Sequence, residues 1–124
     1  MDCRARRAAC VYNRSCVVPP VIAEVLSAYR ARLEQEFPAR LLRVTLFGST
    51  ARGEATEASD VDVLVVVDRL TFPERARALD LAAEVGLPRG LVLEPIVLTA
   101  SEWAELERRE ILLWAEIARE GIEA

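Results

Sequence analysis

With 124 residues the chain is long enough for one domain with a single core and too short for two. Apolar residues make up 52% and charged residues 29%, a globular balance, and the longest aliphatic runs fall far short of the ~18 residues that a membrane span requires. All 16 cations are Arg; without Lys or His there is no imidazole base, no Schiff-base amine, no Walker-type lysine and no His-ligated zinc. A bound metal would rest on carboxylates, which favours Mg²⁺ or Mn²⁺.

The net charge of −4 is unevenly spread: residues 1–16 carry four Arg and one Asp (+3), which leaves −7 for the remainder. An acidic domain of this kind is a poor surface for duplex nucleic acid, whose phosphates need basic patches. Cys3, Cys10 and Cys16 are spaced C-x6-C-x5-C, which matches no zinc or CxxC redox pattern, so they read as ordinary thiols of a cytoplasmic protein. The opening "MDCRARRAACVYNRSC" has a basic start without a long apolar segment and does not read as a secretion signal. Residues 1–18 are expected to be a poorly ordered extension or the product of an upstream start codon, and residues 19–124 the folded domain.

In chain order, Pro19-Pro20 ends the extension and opens a helix whose apolar face comprises Val21, Ile22, Val25, Leu26, Tyr29 and Leu33. Pro38 ends it. "LLRVTLF", Leu41 to Phe47, reads as a strand broken by Gly48; "EATEAS" is a polar loop; and "DVDVLVVV" is a second strand, central by its continuous apolar end. Thr71 to Val85 reads as a helix with Ala76, Leu79, Ala83 and Val85 along it, closed by Gly86. "GLVLEPIVLT" supplies a third strand, Thr99 and Glu102 form a capping box, and a last helix runs from Ile111 to Arg119 and stops at Gly121. The order predicts a small α/β domain: a three-stranded mixed sheet with helices packed on it.

The chemistry concentrates between Gly48 and Asp62. Alternation along a strand puts Asp60 and Asp62 on one face, Cα atoms ~6.5–7 Å apart, with Val61 and Val63 on the other. Two carboxylates that close repel unless a positive charge sits between them, and a divalent ion is the natural neutraliser. Gly48 and Ser49 follow the first strand, where a helix could begin. Free N–H groups there suit a phosphate, Gly48 permits close approach, and Ser49 adds a hydroxyl donor. Arg52 could contact a triphosphate or brace the acidic loop. Gly48 and Gly53 have P-loop spacing, but Glu54 and Ala55 stand where Lys and Ser/Thr belong, which excludes that motif. Read alone, a Gly-Ser turn is ordinary turn chemistry, and Ser-Asp-x-Asp is a cap or a solvated loop. Their co-occurrence at two strand ends points to a site. Glu94 is the candidate third acid; its alternative is a charge guarding an edge strand, as the adjacent Pro95 would suit. Trp103 and Trp114 read as core or partner-interface residues.

"GSTARGEATEASDVDVLV" resembles the G-S-x-A-R-G then S-D-x-D signature of the minimal nucleotidyltransferases of the polymerase-β-like superfamily. The likeness covers Phe47 to Val67 closely, extends more loosely over "LPRGLVLEPIVLT" and "REGI", and leaves out residues 1–18. It implies that Gly48 and Ser49 grip the β and γ phosphates of ATP, that Asp60 and Asp62 bind two Mg²⁺ or Mn²⁺ ions, and that Glu94 takes the third carboxylate position, where the family more usually has Asp. The two metals would stabilise in-line displacement at the α-phosphorus and the departing pyrophosphate. Small members are similar to antitoxins that transfer AMP to a tyrosine of an all-helical HEPN toxin, so the resemblance implies such a partner, docked partly through the C-terminal helices. Two rivals stand beside it. One is a degenerate, non-catalytic module that neutralises a partner by contact; the other is a transferase acting on a small molecule such as an aminoglycoside.

Overall fold

The computed structural model describes residues 18–48, 60–109 and 111–124. Helix α1, Pro20–Glu36, begins with proline in its first turn, where the missing N–H is no loss. It buries Ile22, Val25, Leu26, Tyr29 and Leu33, one stripe at helical spacing. Val21, expected on that stripe, is instead exposed, because it lies a third of a turn off the line that Ile22 and Leu26 set. The helix stops at the buried Phe37, ahead of Pro38.

Strands β1 (Leu41–Phe47), β2 (Val61–Val67), β3 (Leu93–Thr99) and β4 (Ile122–Glu123) form one mixed sheet in the order β3-β2-β1-β4. β1 pairs antiparallel with β2 and with β4, while β2 and β3 are parallel. Sequence reasoning gave three strands; β4, with two residues, is too short to show a period-two pattern. β2 is interior, as its continuous apolar run requires. Its register with β1 shifts between Leu41 and Arg43, a bulge that leaves Leu42 exposed.

A parallel neighbour requires a crossover, and α2, Phe72–Gly86, supplies it. A capping box of Thr71 and Glu74 opens this helix: Glu74 N donates to Thr71 Oγ1 (3.2 Å) and Thr71 N to Glu74 Oε1 (2.9 Å). Gly86 ends the helix, as the sequence suggested, but without the left-handed conformation of a glycine cap. It is the last helical residue, packed where a Cβ would lie 2.8 Å from Leu91 O, and a 3₁₀ turn, Leu87–Arg89, carries the chain on to Gly90, the left-handed residue that ends it. The buried stripe of α2 is Ala78, Leu81 and Ala82, so Leu79, Ala76 and Ala83 face outward instead. Helices α3, Ala100–Arg108, and α4, Leu112–Glu120, follow β3, and α3 opens on the expected Thr99–Glu102 capping box.

Alternation along the strands separates two cores. Val61, Val63, Val65 and Val67 join Val44, Leu46, Leu93 and Val97 against α1 and α2; Leu64 and Val66 join Phe47 and Ile117, with Ile96, Leu98, Trp103 and Leu113 at the margin, under α3 and α4. Tyr29 donates to Ala78 O (2.9 Å), tying α1 to α2, and burial pushes its phenol well above the usual range. Ion pairs Arg32–Glu84 (2.7 Å), Arg77–Glu84 (2.9 Å) and Arg77–Glu36 (3.5 Å) run along the seam between the two helices. Of the expected extension, residues 1–17 lie outside the described residues, and Val18 packs on the first core. Among the described residues, no helix is long and apolar enough to cross a membrane.

Candidate active site

The register of three strands brings the candidate residues to one end of the sheet. Phe47 is opposite Asp62 across the β1–β2 pair, and Asp62 is beside Glu94 across the parallel β2–β3 pair. Gly48 therefore follows directly at the end of β1, next to the start of β2. Side chains paired in register across a parallel ladder leave the sheet on the same side, so Asp62 and Glu94 share the face of Leu64 and Ile96, the one that carries α3 and α4. Asp60, two residues before Asp62, belongs to that face as well. Asp62 is half-buried, and Asp60 and Glu94 are exposed.

The three carboxylates interact. Glu94 has its carboxyl pushed above the ordinary range, first by a side-chain hydrogen bond with Asp60, then by the charge of Asp60, by partial burial and by the charge of Asp62. The neighbouring negative charges of Asp60 and Asp62 disfavour a further charge on Glu94, so this corner favours a cation.

Gly48 completes this corner by having no side chain. Its φ of +80° is one that L residues rarely adopt, and a Cβ there would overlap Oδ2 of Asp62 and come within 3.2 Å of its carboxyl carbon. The backbone of β1 can approach the Asp62 carboxylate only because residue 48 is glycine. Ser49 and Arg52, the other two expected nucleotide contacts, lie outside the described residues, as does the turn joining Gly48 to Asp60.

Three oxygen-donor side chains with no nitrogen or sulfur suit a hard divalent cation. Among the described residues, no group of three or more Cys, Asp or Glu side chains is already arranged to hold an ion. The edge reading of Glu94 also finds support, since β3 is an edge strand. Pro95 offers no N–H there, and the Arg75 guanidinium donates to Val97 O.

Sequence reasoning missed a second polar cluster on the same face. Arg43 donates through Nε to Thr45 Oγ1 (3.0 Å) and through a terminal nitrogen to Glu123 Oε2 (2.7 Å), and Thr45 Oγ1 donates to the same carboxylate oxygen (2.8 Å). The Arg43 guanidinium carbon lies 5.3 Å from the ring centre of Trp103, and Thr45 is fully buried. Gly121 allows the turn into β4, because a Cβ there would meet Thr45 Cγ2 at 2.6 Å. The visible signal was Arg43 and Thr45, two polar residues on one face of an otherwise apolar strand; their partner Glu123 stands 78 residues from Thr45, beyond the reach of any local pattern.

Residues 26–117 match the nucleotidyltransferase domain family, and the chain belongs to that family. It is thus a nucleotidyltransferase of α/β fold, whose substrate is a nucleotide. Two proteins of Methanocaldococcus jannaschii, each named as an inferred protein adenylyltransferase, are 34% and 37% identical to it, over 61% and 48% of this chain and 78% and 58% of their own lengths. The chain therefore spans most of the first and little more than half of the second. A crystal structure of an inferred nucleotidyltransferase from Sulfolobus solfataricus is 27% identical, covers 66% of this chain and 70% of its own, and superposes with a TM-score of 0.48.

Proposed function

We propose that the protein transfers AMP from ATP to a hydroxyl of a partner protein, a tyrosine of a HEPN-type toxin, and so acts as its antitoxin. The observation that carries the reading is the convergence of Asp60, Asp62 and Glu94 beside the side-chain-free Gly48 at one sheet end. Asp60, Asp62 and Glu94 are the residues that would hold Mg²⁺ or Mn²⁺, two ions on the family pattern, and the crowding of negative charge around Glu94 favours a cation there. Bound there, the metal would supply charge stabilisation for the phosphoryl oxygens and the leaving pyrophosphate.

The chain's own contributions follow from its geometry. Gly48 would keep the end of β1 open to a close-lying phosphate and leaves room for the Asp62 carboxylate beside it. Ser49 would donate its hydroxyl to the same phosphate group, and Arg52 would neutralise its charge. Glu94, exposed on the edge strand β3, would take the proton of the acceptor hydroxyl. The names of the two archaeal relatives support a protein acceptor.

Co-expression with the neighbouring reading frame followed by labelling with [α-³²P]ATP tests this. A labelled partner, with label lost in Asp60→Ala/Asp62→Ala, is the expected result; an unlabelled neighbour that does not associate counts against it. Metal binding has its own readout: Mg²⁺ with a non-hydrolysable ATP analogue should raise the melting temperature of the parent and not of the double variant. A non-catalytic module has one observation in its favour, that no three carboxylates stand ready to hold an ion among the described residues. The same double variant separates the readings, because a binder would still neutralise its partner.

A further inference from the structure

The polar cluster around Thr45 plays no part in the nucleotidyl-transfer reading, yet it lies on the strand that leads into the site and on the face that carries the carboxylates. Thr45 is the one fully buried polar side chain among the described residues. A hydroxyl in an aliphatic layer costs stability unless it is satisfied, and this one accepts from Arg43 Nε (3.0 Å) and donates to Glu123 Oε2 (2.8 Å). Glu123 belongs to β4, which pairs with β1 only at Thr45 and Leu46. A strand that short is marginal by its ladder alone. The carboxylate supplies the further anchor, because it receives the Thr45 hydroxyl and, at 2.7 Å, the Arg43 guanidinium.

What β4 anchors reaches the site in three contacts. Gly121, directly before β4, is pressed onto β1: a Cβ there would lie 2.6 Å from both Thr45 Cγ2 and Ile117 O. The end of α4 is thereby set against the sheet. Ile117, in the last turn of α4, packs with Phe47 in the core under α3 and α4. Phe47 is in register with Asp62 and leads into Gly48, whose left-handed backbone lies close against the Asp62 carboxylate.

We propose that Glu123, held by Thr45 and Arg43, is a positioning residue for nucleotide binding: it fixes β4 and the end of α4 so that Phe47 and Gly48 are already in place when the nucleotide arrives. The proposal rests on the reading of Gly48 as the point where a phosphate approaches. Without the anchor, the end of β1 holds its competent arrangement for only part of the time, and the apparent dissociation constant rises by the inverse of that fraction. The loss falls on binding, because the bound nucleotide restores the arrangement.

Isothermal titration calorimetry of the full chain with Mg²⁺ and α,β-methylene-ATP tests this. Glu123→Ala and, separately, Thr45→Val should each raise the Kd about ten-fold, corresponding to a competent fraction of about a tenth. Thr45→Ser keeps the hydroxyl and gives up the methyl against Gly121, so it should bind as the parent does even though its melting temperature falls. Amide exchange supplies a readout without ligand: in Glu123→Ala the peptide containing Phe47 and Gly48 should exchange faster than in the parent, while the one containing Tyr29 and Leu33 is unchanged. A Kd that merely follows melting temperature, with Thr45→Ser as weak as Thr45→Val, would make the cluster structural only and overturns the proposal. So does a parent-like Kd in both Glu123→Ala and Thr45→Val. A parent chain that binds no nucleotide overturns it together with the reading of the site, which tells the two failures apart.

Discussion

The two faces of the sheet are built to different standards. Toward α1 and α2, Val61, Val63, Val65 and Val67 of β2 lie in a continuous core with Tyr29, Leu33, Phe37 and Leu81, each no more than 1% exposed. Toward α3 and α4, the fully covered set shrinks to Phe47, Leu64, Val66 and Ile117, α3 buries none of its residues, and the sheet end carries three carboxylates. The well-covered side supplies most of the buried core, and the carboxylates stand on the side that is left partly open. A carboxylate cluster in the first core would have to be neutralised throughout, whereas at an exposed sheet end water and a bound cation can do it.

Substitutions sharpen this contrast. The largest effect expected is on activity alone: Asp62→Asn should lower the rate of nucleotidyl transfer by ~10³-fold or more while the melting temperature holds, as assays and thermal denaturation would show. On the other face the balance reverses. Leu81→Ala, at a site 1% exposed, should destabilise by about 2–5 kcal/mol in urea titrations, with residual activity per folded molecule unchanged. Tyr29→Phe should lose about 1–3 kcal/mol, because Ala78 O is left buried without its donor. A smaller effect is expected at the α2 capping box. The Arg40 guanidinium and the Thr71 N–H hold Glu74 down to about 2, below the 4.5 of a free glutamate. The folded state therefore binds fewer protons in this range. The stabilisation is fully present above pH 4.5 and fades as the pH falls toward 2, so the difference in urea midpoint between parent and Glu74→Gln should shrink over that interval. Least of all, Ala39→Gly should gain up to ~1 kcal/mol, since Ala39 sits at φ +66°.

Much of this was legible in the residues. The strand Leu41–Phe47, the helix ended by Pro38 and the Thr99–Glu102 cap each announce themselves locally, through bulky aliphatic runs, proline and cap chemistry, and the structure holds them where expected. Which face of α2 meets the sheet was not legible, for a physical reason. Phe72, Ala76, Leu79 and Ala83 repeat as regularly as Ala78, Leu81 and Ala82, and periodicity alone cannot say which of two apolar stripes meets the sheet. The site showed the same division. That Asp60 and Asp62 share a face follows from alternation, but the closeness of Asp60 to Glu94 depends on β3 pairing parallel to β2 in one particular register, information that no local stretch contains. β4 and the Glu123 carboxylate, likewise, acquire meaning only once the chain end has folded back onto Thr45.

The guanidinium of Arg75 on Val97 O has a consequence for how the molecule behaves in a crowd. The outer margin of β3 reads Pro-Ile-Val-Leu, a segment with the appetite for fibrous assembly that short aliphatic stretches share, and its free rim is closed at one point by an imino acid and two residues on by an arginine from the helix above. Deleting that one cation would leave the fold intact yet reopen a template for strand addition, from which an assembly could grow at one end.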